Sequence, residues 1–206
     1  MAEFTRDWFG RYAAYWTELF ASRGWHPGEP RTIVEIGSYE GRSALWMLEN
    51  LLQHPASRLI CVDTFHNRES PDSYWLRFEA NVLGSPHAAK VSVAASASLP
   101  FLTGFVAAGS KADFIYVDGS HRAAEVLEDL ILAFHATRPG GVIICDDYLK
   151  GAPAGDLTLG SPKLAVDAFT TIYRDRLDIP WGQPLYQLAM IKTADRLGDD
   201  PGARGG

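Results

Sequence analysis

The sequence predicts an α/β fold on a mostly parallel, doubly wound sheet, and three observations predict it. Short apolar runs, each followed by a helical pattern, recur from Arg31 onward. The first of them ends in a glycine turn that leads directly into a helix, and three of the four later ones end in acidic residues. Strands alternating with amphipathic helices at this spacing are the pattern of parallel sheets joined by crossover helices.

Ahead of the first strand, Phe4, Trp8, Tyr12, Trp16, Leu19 and Phe20 recur at helical spacing, so residues 1–24 are expected to form an aromatic-striped helix. Such a stripe packs on a sheet or on another subunit, or else serves as a lid over a site. Residues 25–193 are expected to form one domain, its parallel strands at Thr32–Ile36, Leu59–Val62, Lys90–Ala94, Phe114–Val117 and Val142–Cys145. The helix after the glycine turn places Leu45, Leu48, Leu51 and Leu52 on one face, and the helix after Asp118 does the same with Val126, Leu127, Leu130, Ile131 and Phe134. Pro139-Gly140-Gly141 is expected to stop that second helix and turn the chain into the fifth strand. Beyond it lie a Gly/Pro-rich loop over 150–162, a helix near Lys163–Tyr173, and two strands near Arg176–Ile179 and Leu185–Ile191. A loop of more than about 12 residues in a compact domain is usually a functional lid or disordered. Residues 194–206 are rich in Gly and Asp and are expected to be a disordered tail.

At 206 residues and 47% hydrophobic content, the chain can bury one full core and is too short for two ordinary domains. A net charge of −6 leaves no general basic field for a phosphate backbone, so nucleic acid is not expected as a partner. No apolar run approaches the roughly 18 residues that span a bilayer. No basic segment followed by an apolar stretch opens the chain, and the expectation is a soluble, cytoplasmic protein without membrane attachment. Cys61 and Cys145 lie in apolar runs and read as buried thiols rather than a disulfide. Oligomeric state is open, a homo-oligomer included.

The glycine turn Val34-Glu35-Ile36-Gly37-Ser38-Tyr39-Glu40-Gly41-Arg42-Ser43 narrows the ligand. A dinucleotide fingerprint needs glycines at offsets zero, two and five so that backbone can approach a pyrophosphate, and the second and third places here are Tyr39 and Arg42. Gly37 and Gly41 still permit a tight turn, and the helix N-terminus that follows suits a carboxylate. Asp63 closes the second strand where an acid can accept ribose hydroxyls, or where it caps a loop. Ala95 and Ser96, after the third strand, lie where an adenine edge would be met.

This stretch resembles motif I of the class I S-adenosylmethionine-dependent methyltransferases. Glu35, Gly37, Tyr39, Gly41 and Ser43 reproduce the Glu-x-Gly-x-Tyr-x-Gly-x-Ser pattern of the catechol O-methyltransferase group. With Asp118-Gly119-Ser120-His121 and Gly140-Gly141 through Asp146-Asp147-Tyr148, the chain is also similar to the macrocin-type sugar O-methyltransferases. The likeness runs from about Arg31 to Ile191. It implies a Rossmann-like class I methyltransferase fold with a mostly parallel seven-stranded sheet and helices on both faces. It further implies S-adenosylmethionine as cofactor, held by Glu35, Gly37, Ser38, Tyr39, Gly41, Ser43, Asp63, Ala95, Ser96 and Asp118, with Tyr39 and Ser43 at the carboxylate end. Glu35 is as readily a structural anchor for the turn.

Asp118 ends the fourth strand and Asp146 and Asp147 end the fifth, so three carboxylates are expected at one edge of a pocket. Like charges so placed need protons or a cation, and oxygen donors without His or Cys favour Mg²⁺ over zinc. Acids at strand ends also cap helices and turns. The resemblance favours the metal, although the catechol group has Asn where Asp147 stands. His121, three residues after Asp118, falls where the macrocin-like enzymes place a His and the catechol enzymes a catalytic Lys. It is the candidate base, with Asp118 beside it in the catalytic set; the alternative is an ordinary polar residue at a helix N-terminus. Arg42, His66, Lys150 and Trp181 have no spacing that separates substrate contact from packing or surface roles.

The expected activity is Mg²⁺-dependent methyl transfer to oxygen of a small molecule with vicinal hydroxyls, such as a sugar, macrolide or catechol. Metal-independent N- or C-methylation, with Asp146 and Asp147 holding substrate directly, is the second reading. A catalytically inactive cofactor-binding scaffold is the third, and Tyr39 and Arg42 argue against a nicotinamide oxidoreductase.

Overall fold

Among the described residues, seven strands and six α-helices form where the apolar periodicity changes between two and 3.6 residues. The structure, a computed structural model, describes residues 2–26, 28–66, 68–70, 73–151 and 159–196. The chain divides into two units, residues 1–98 and 99–206.

The first unit contains α1 (Ala13–Ser22), β1 (Thr32–Ile36), α2 (Arg42–Asn50), β2 (Arg58–Asp63), the short α3 (Tyr74–Phe78) and β3 (Val91–Ala95). Strand β2 lies between β1 and β3 and is parallel to both, with Ile33 opposite Leu59 and Val62 opposite Ala94. The apolar face expected of α2 is buried, Leu45, Leu48, Leu51 and Leu52 all lying in the core. Helix α1 docks through aromatic rings: Trp16 packs edge-on against Trp46 of α2 at 5.6 Å, and Phe9 lies 4.9 Å from Trp16 and 5.5 Å from Trp46.

The aromatic stripe departs from its expected helix at its start. A 3-10 turn at Gly10–Tyr12 precedes α1, so Phe4 and Trp8 lie outside the helix. Phe9 takes the buried place and Trp8 stays 56% exposed. The change of register follows from the chain ahead of α1, where Asp7 accepts the Gly10 N–H at 2.6 Å.

The second unit opens with most of α4 (Ser98–Ala107) and continues through β4 (Ala112–Val117), α5 (Ala123–Ala136), β5 (Thr137–Cys145), α6 (Pro162–Tyr173), β6 (Leu177–Asp178) and β7 (Leu188–Lys192). Strand β5 pairs with β4 in parallel and with β7 antiparallel, and β6 adds antiparallel to β7. Helices α5 and α6 meet through Phe134, Phe169 and Tyr173, whose ring centroids lie 4.5–6.3 Å apart. Ser161 caps α6 and Pro162 begins it, a pairing suited to a helix start. The fully buried Lys192 donates to the carbonyls of Phe134 and Thr137, both at 2.8 Å, and so satisfies acceptors at the end of α5.

Pro139-Gly140-Gly141 does not end α5. The helix stops at Thr137, whose extended backbone begins β5 and whose Oγ1 donates to the Ala133 carbonyl at 2.7 Å. The Pro-Gly-Gly run is instead a bulge inside β5. Ala112 pairs with Thr137 and Phe114 with Val142, so two steps along β4 are matched by five along β5. Proline, which cannot donate to a ladder, belongs in such an unpaired excursion. The expected β6 and β7 are shorter than their apolar runs suggest, and Leu185 and Tyr186 lie outside β7 and exposed. Part of the 150–162 loop and most of the tail lie outside the described residues, and the expectations for them rest on sequence alone. Among the described residues no helix is long and apolar enough to cross a membrane.

The two bulge glycines differ in kind. A Cβ on Gly141 would meet Thr137 Cγ2 at 2.6 Å and the Asp113 and Arg138 carbonyl oxygens at 2.8 and 2.9 Å. Gly140 has φ +81° but nothing within 4 Å of a Cβ. Gly141→Ala is expected to lower unfolding stability by about 2–3 kcal/mol, and Gly140→Ala by about 1 kcal/mol, in urea titrations. Equal costs would show that backbone conformation, not crowding, sets both.

Candidate active site

In the first unit, the turn between β1 and α2 is built on left-handed backbone. Gly37 has φ +86°, Tyr39 +47° and Gly41 +83°. Gly41 is also a close-approach position, since a Cβ there would lie 2.2 Å from Val82 Cγ2 and 3.2 Å from Phe78. No other residue fits without moving the Phe78–Val82 segment. Gly37 N–H donates to the Val62 carbonyl at 2.8 Å, and Gly41 N–H to the Ser38 carbonyl at 2.8 Å.

Asp63 fastens this turn to the end of β2. Its Oδ2 accepts the N–H groups of Ser38 and Tyr39 at 3.1 and 3.0 Å. Its Oδ1 accepts the Phe65 N–H at 2.9 Å and the Tyr74 hydroxyl at 3.2 Å. The Ser96 N–H reaches the Asp63 carbonyl at 3.0 Å, so Ser96 stands beside the same strand end with Ala95 before it. The Tyr39 ring lies between Trp8 and Tyr74, with centroids 5.3 and 5.1 Å away.

Glu35 lies beneath the turn with no exposure to solvent. Its Oε1 accepts from Ser43 Oγ at 2.5 Å, while its Oε2 has no partner. Burial raises its pKa to about 7, against the pull of the Ser43 hydrogen bond. The neighbouring Cys61 thiol is pushed well above its usual range, also by burial. Ser43 thus spends its hydroxyl on Glu35, and the two expected cofactor residues are first of all partners of one another.

Several residues of this region carry no sequence signal. Glu40 is buried and accepts from the Thr5 N–H at 2.7 Å and the Thr5 hydroxyl at 2.8 Å. Asn81 bridges the Glu3 backbone, at 2.9 Å in both directions, and donates to the Glu40 carbonyl at 3.0 Å. Together they lay the segment ahead of α1 along the turn. These ties span 35 to 78 residues of chain and follow no local periodicity. A cavity of about 400 Å³ lined by Phe65, Arg68, Glu69 and Ser70 adjoins the Asp63 side of the unit.

In the second unit the expected acids separate into two groups. Asp118 and Asp146 share the Tyr116 hydroxyl, which lies 3.1 Å from Asp118 Oδ2 and in shorter contact with Asp146 Oδ2. Gln187 donates to Asp146 Oδ2 at 3.0 Å, and the Asp147 N–H to Asp146 Oδ1 at 2.7 Å. Burial pushes the Asp146 carboxyl upward, and the Tyr116 and Gln187 hydrogen bonds oppose it.

Asp147 has φ +59° and reaches a different set of partners. Its Oδ2 accepts from Lys150 Nζ at 2.8 Å and lies 3.4 Å from His121 Nε2. Lys150 Nζ is in turn 2.6 Å from His121 Nε2. An ammonium can only donate, so Nε2 is the acceptor and Nδ1 carries the ring proton, buried and without a partner. Lys150, for which the sequence offered no reading, therefore touches the candidate base directly.

The donor chemistry of Asp118 and Asp146 fits a hard cation, as two oxygen ligands oriented on one hydroxyl. Asp147, the third expected ligand, has its Oδ2 turned to Lys150 and His121. Among the described residues no group of three or more His, Cys, Asp or Glu side chains has metal-holding geometry. Tyr116 had a signal available: it lies two residues before Asp118, and alternate residues of a strand share a face. Gln187, a polar residue entering an apolar strand, had a weaker one.

The family model described as "Methyltransferase domain" matches residues 34–148. Among solved structures, an O-methyltransferase from Bacillus cereus in complex with S-adenosylhomocysteine matches with a TM-score of 0.67 at 19% identity, covering 91% of this chain and 84% of its own. TomG from Streptomyces achromogenes, an O-methyltransferase involved in tomaymycin synthesis and bound to S-adenosylmethionine, matches at 0.66 and 19% identity over 89% of this chain and 80% of its own. MycE of the mycinamycin pathway, in complex with Mg, S-adenosylhomocysteine and mycinamycin VI, matches at 0.61 and 16% identity over 91% of this chain and 50% of its own. These likenesses show the Rossmann-like class I methyltransferase fold. None of the curated proteins matches the chain in sequence.

Glu35 gives a pH signature. Its folded pKa near 7 lies above the ordinary 4.5, so its contribution to stability is complete below pH 4.5 and is lost as pH rises through 7. The loss is about 3 kcal/mol at most. Glu35→Gln is expected to flatten the stability curve between pH 5 and 8 relative to wild type; parallel curves in urea melts at each pH would refute the assignment.

Proposed function

The chain belongs to the methyltransferase-domain family, and from that membership we propose that it moves the methyl group of S-adenosylmethionine to a hydroxyl of a small molecule. The observation that carries the donor is the turn at Gly37–Gly41, which admits no side chain at Gly41 and is fastened to an acid at the end of the next strand. Gly37, Ser38, Tyr39, Gly41 and Ser43 take the amino acid end of the donor, Glu35 supporting them from below. Asp63 takes the ribose, with Ala95 and Ser96 at the adenine. The open N–H groups at the start of α2 favour the donor's carboxylate there.

For the acceptor, the reading rests on Asp118, Asp146 and His121 of the second unit. Asp118 and Asp146 would hold Mg²⁺ with water and acceptor oxygens completing its shell, since Mg²⁺ commonly uses only one or two protein carboxylates. Bound there, the ion supplies Lewis acidity that lowers the pKa of an acceptor hydroxyl. Asp147, with its Oδ2 on Lys150, would join the ligand set through its other oxygen. His121 Nε2 is the position that takes the hydroxyl proton, and it becomes available once Lys150 turns away, because its one lone pair accepts from the ammonium here. Methyl transfer of this kind gains much of its rate from alignment of donor and acceptor. Vicinal hydroxyls suit a paired-carboxylate cation, which is why a sugar, a macrolide or a catechol-like compound is the proposed substrate class.

His121→Ala is expected to bind S-adenosylmethionine as wild type does by calorimetry while losing turnover by about 100-fold or more. Wild-type turnover in the variant removes the base role. With excess EDTA, activity on a diol and catechol panel is expected to vanish and to return with Mg²⁺; undiminished activity in EDTA sinks the metal assignment alone.

A further inference from the structure

We propose that Tyr74 controls the donor's access to Asp63, standing in for a ribose hydroxyl until the donor arrives; this rests on the reading of Asp63 as the ribose acceptor. An ionised carboxylate has about four lone-pair positions. At Asp63 all four are in use: Ser38 and Tyr39 N–H on Oδ2, Phe65 N–H and the Tyr74 hydroxyl on Oδ1. A ribose diol brings two further donors and finds no free position.

Three of the four occupants are main-chain N–H groups. They belong to the glycine turn and the strand end, and removing them would take the turn apart. The Tyr74 hydroxyl is the exception, because it can leave Oδ1 by a small rotation. A second acceptor waits for it: His66 Nδ1 lies 3.0 Å from the same hydroxyl, and Thr64 Oγ1 is 3.5 Å from that nitrogen. While Tyr74 donates to Asp63, the imidazole Nδ1–H donates to the tyrosine oxygen. After the exchange, Tyr74 donates to Nδ1 and the ring proton resides on Nε2. His66 is exposed, so water can carry that tautomer change.

The ring itself need not move far. It lies 5.1 Å from Tyr39, 6.0 Å from Phe65 and 5.3 Å from His66, and burial with the nearby Asp63 charge raises its own pKa to about 12, so it remains a donor. Only Oδ1 can be released, and it accepts one hydroxyl. Asp63 therefore reads a single ribose hydroxyl, and Tyr74 with His66 sets the affinity of that contact.

Calorimetry with S-adenosylhomocysteine and its 2′,3′-dideoxy counterpart tests this. Tyr74→Phe is expected to bind S-adenosylhomocysteine about five- to tenfold tighter, the worth of one net hydrogen bond, and to bind the dideoxy ligand as wild type does. His66→Ala is expected to bind S-adenosylhomocysteine about threefold weaker, an effect that vanishes when Tyr74→Phe is present. Unchanged or weaker binding by Tyr74→Phe, or the same gain with the dideoxy ligand, overturns the proposal while leaving the donor site standing. Equal effects of His66→Ala in both backgrounds overturn the hand-over. No heat from wild type with S-adenosylhomocysteine rejects the donor reading itself.

Discussion

The carboxylate of Asp63 holding the N–H groups of Ser38 and Tyr39 is the interaction on which the glycine turn of the first unit depends. A non-glycine residue in left-handed backbone costs about a kilocalorie or more, and Tyr39 sits there at φ +47°. Two charge-assisted hydrogen bonds offset that cost and fix the direction of the peptide planes. From this follow the placement of Gly41 against Val82, the start of α2 and the orientation of the Tyr39 ring between Trp8 and Tyr74. Glu35 and Ser43 close the turn from the inside. The acid at the end of β2 is thus an architectural group, and the ligand role proposed for it is added to that one.

The second unit solves a different electrostatic problem. Asp118 and Asp146 are near enough to share one phenol, and a bare pair of carboxylates at that spacing is unfavourable in a half-buried setting. The Tyr116 hydroxyl and the Gln187 amide supply donors to the pair. Asp147, its backbone reversed at φ +59°, leaves the pair and meets the ammonium of Lys150. Adjacent residues in sequence therefore serve separate purposes: one acid faces a phenol and an amide, the next faces a cation and an imidazole.

Much of the fold was legible because its signals are local. Strand β1, the glycine turn and the leucine face of α2 each lie within a dozen residues, and their periodicity is carried by burial on one side of an element. The aromatic spacing at Phe4 and Trp8 does not give helix, because Gly10 and Asp7 make a turn whose geometry overrides it. Pro139-Gly140-Gly141 has the composition of a stop signal, yet Thr137 ends the helix first and leaves the run to bulge within a strand. At the site, residue types at strand ends pointed to Asp63, Asp118 and Asp146. What the sequence could not hold was partnership across distance: Tyr74 on Asp63, Tyr116 between two acids, and Lys150 on His121. Each depends on which way a side chain turns after the backbone is set.

The bulge in β5 has a consequence for how this protein can change. Register on the far side of the bulge is fixed by Phe114 opposite Val142 and Val117 opposite Cys145, and the Asp146 N–H then reaches the Val117 carbonyl at 3.0 Å. Register on the near side is fixed separately by Ala112 opposite Thr137. Between the two, Gly140 faces open space while Gly141 is held against Thr137 and the Asp113 and Arg138 carbonyls. A change of length at Gly140 would therefore be taken up in the excursion, and the acids at the strand end would keep the register that Phe114 and Val117 give them.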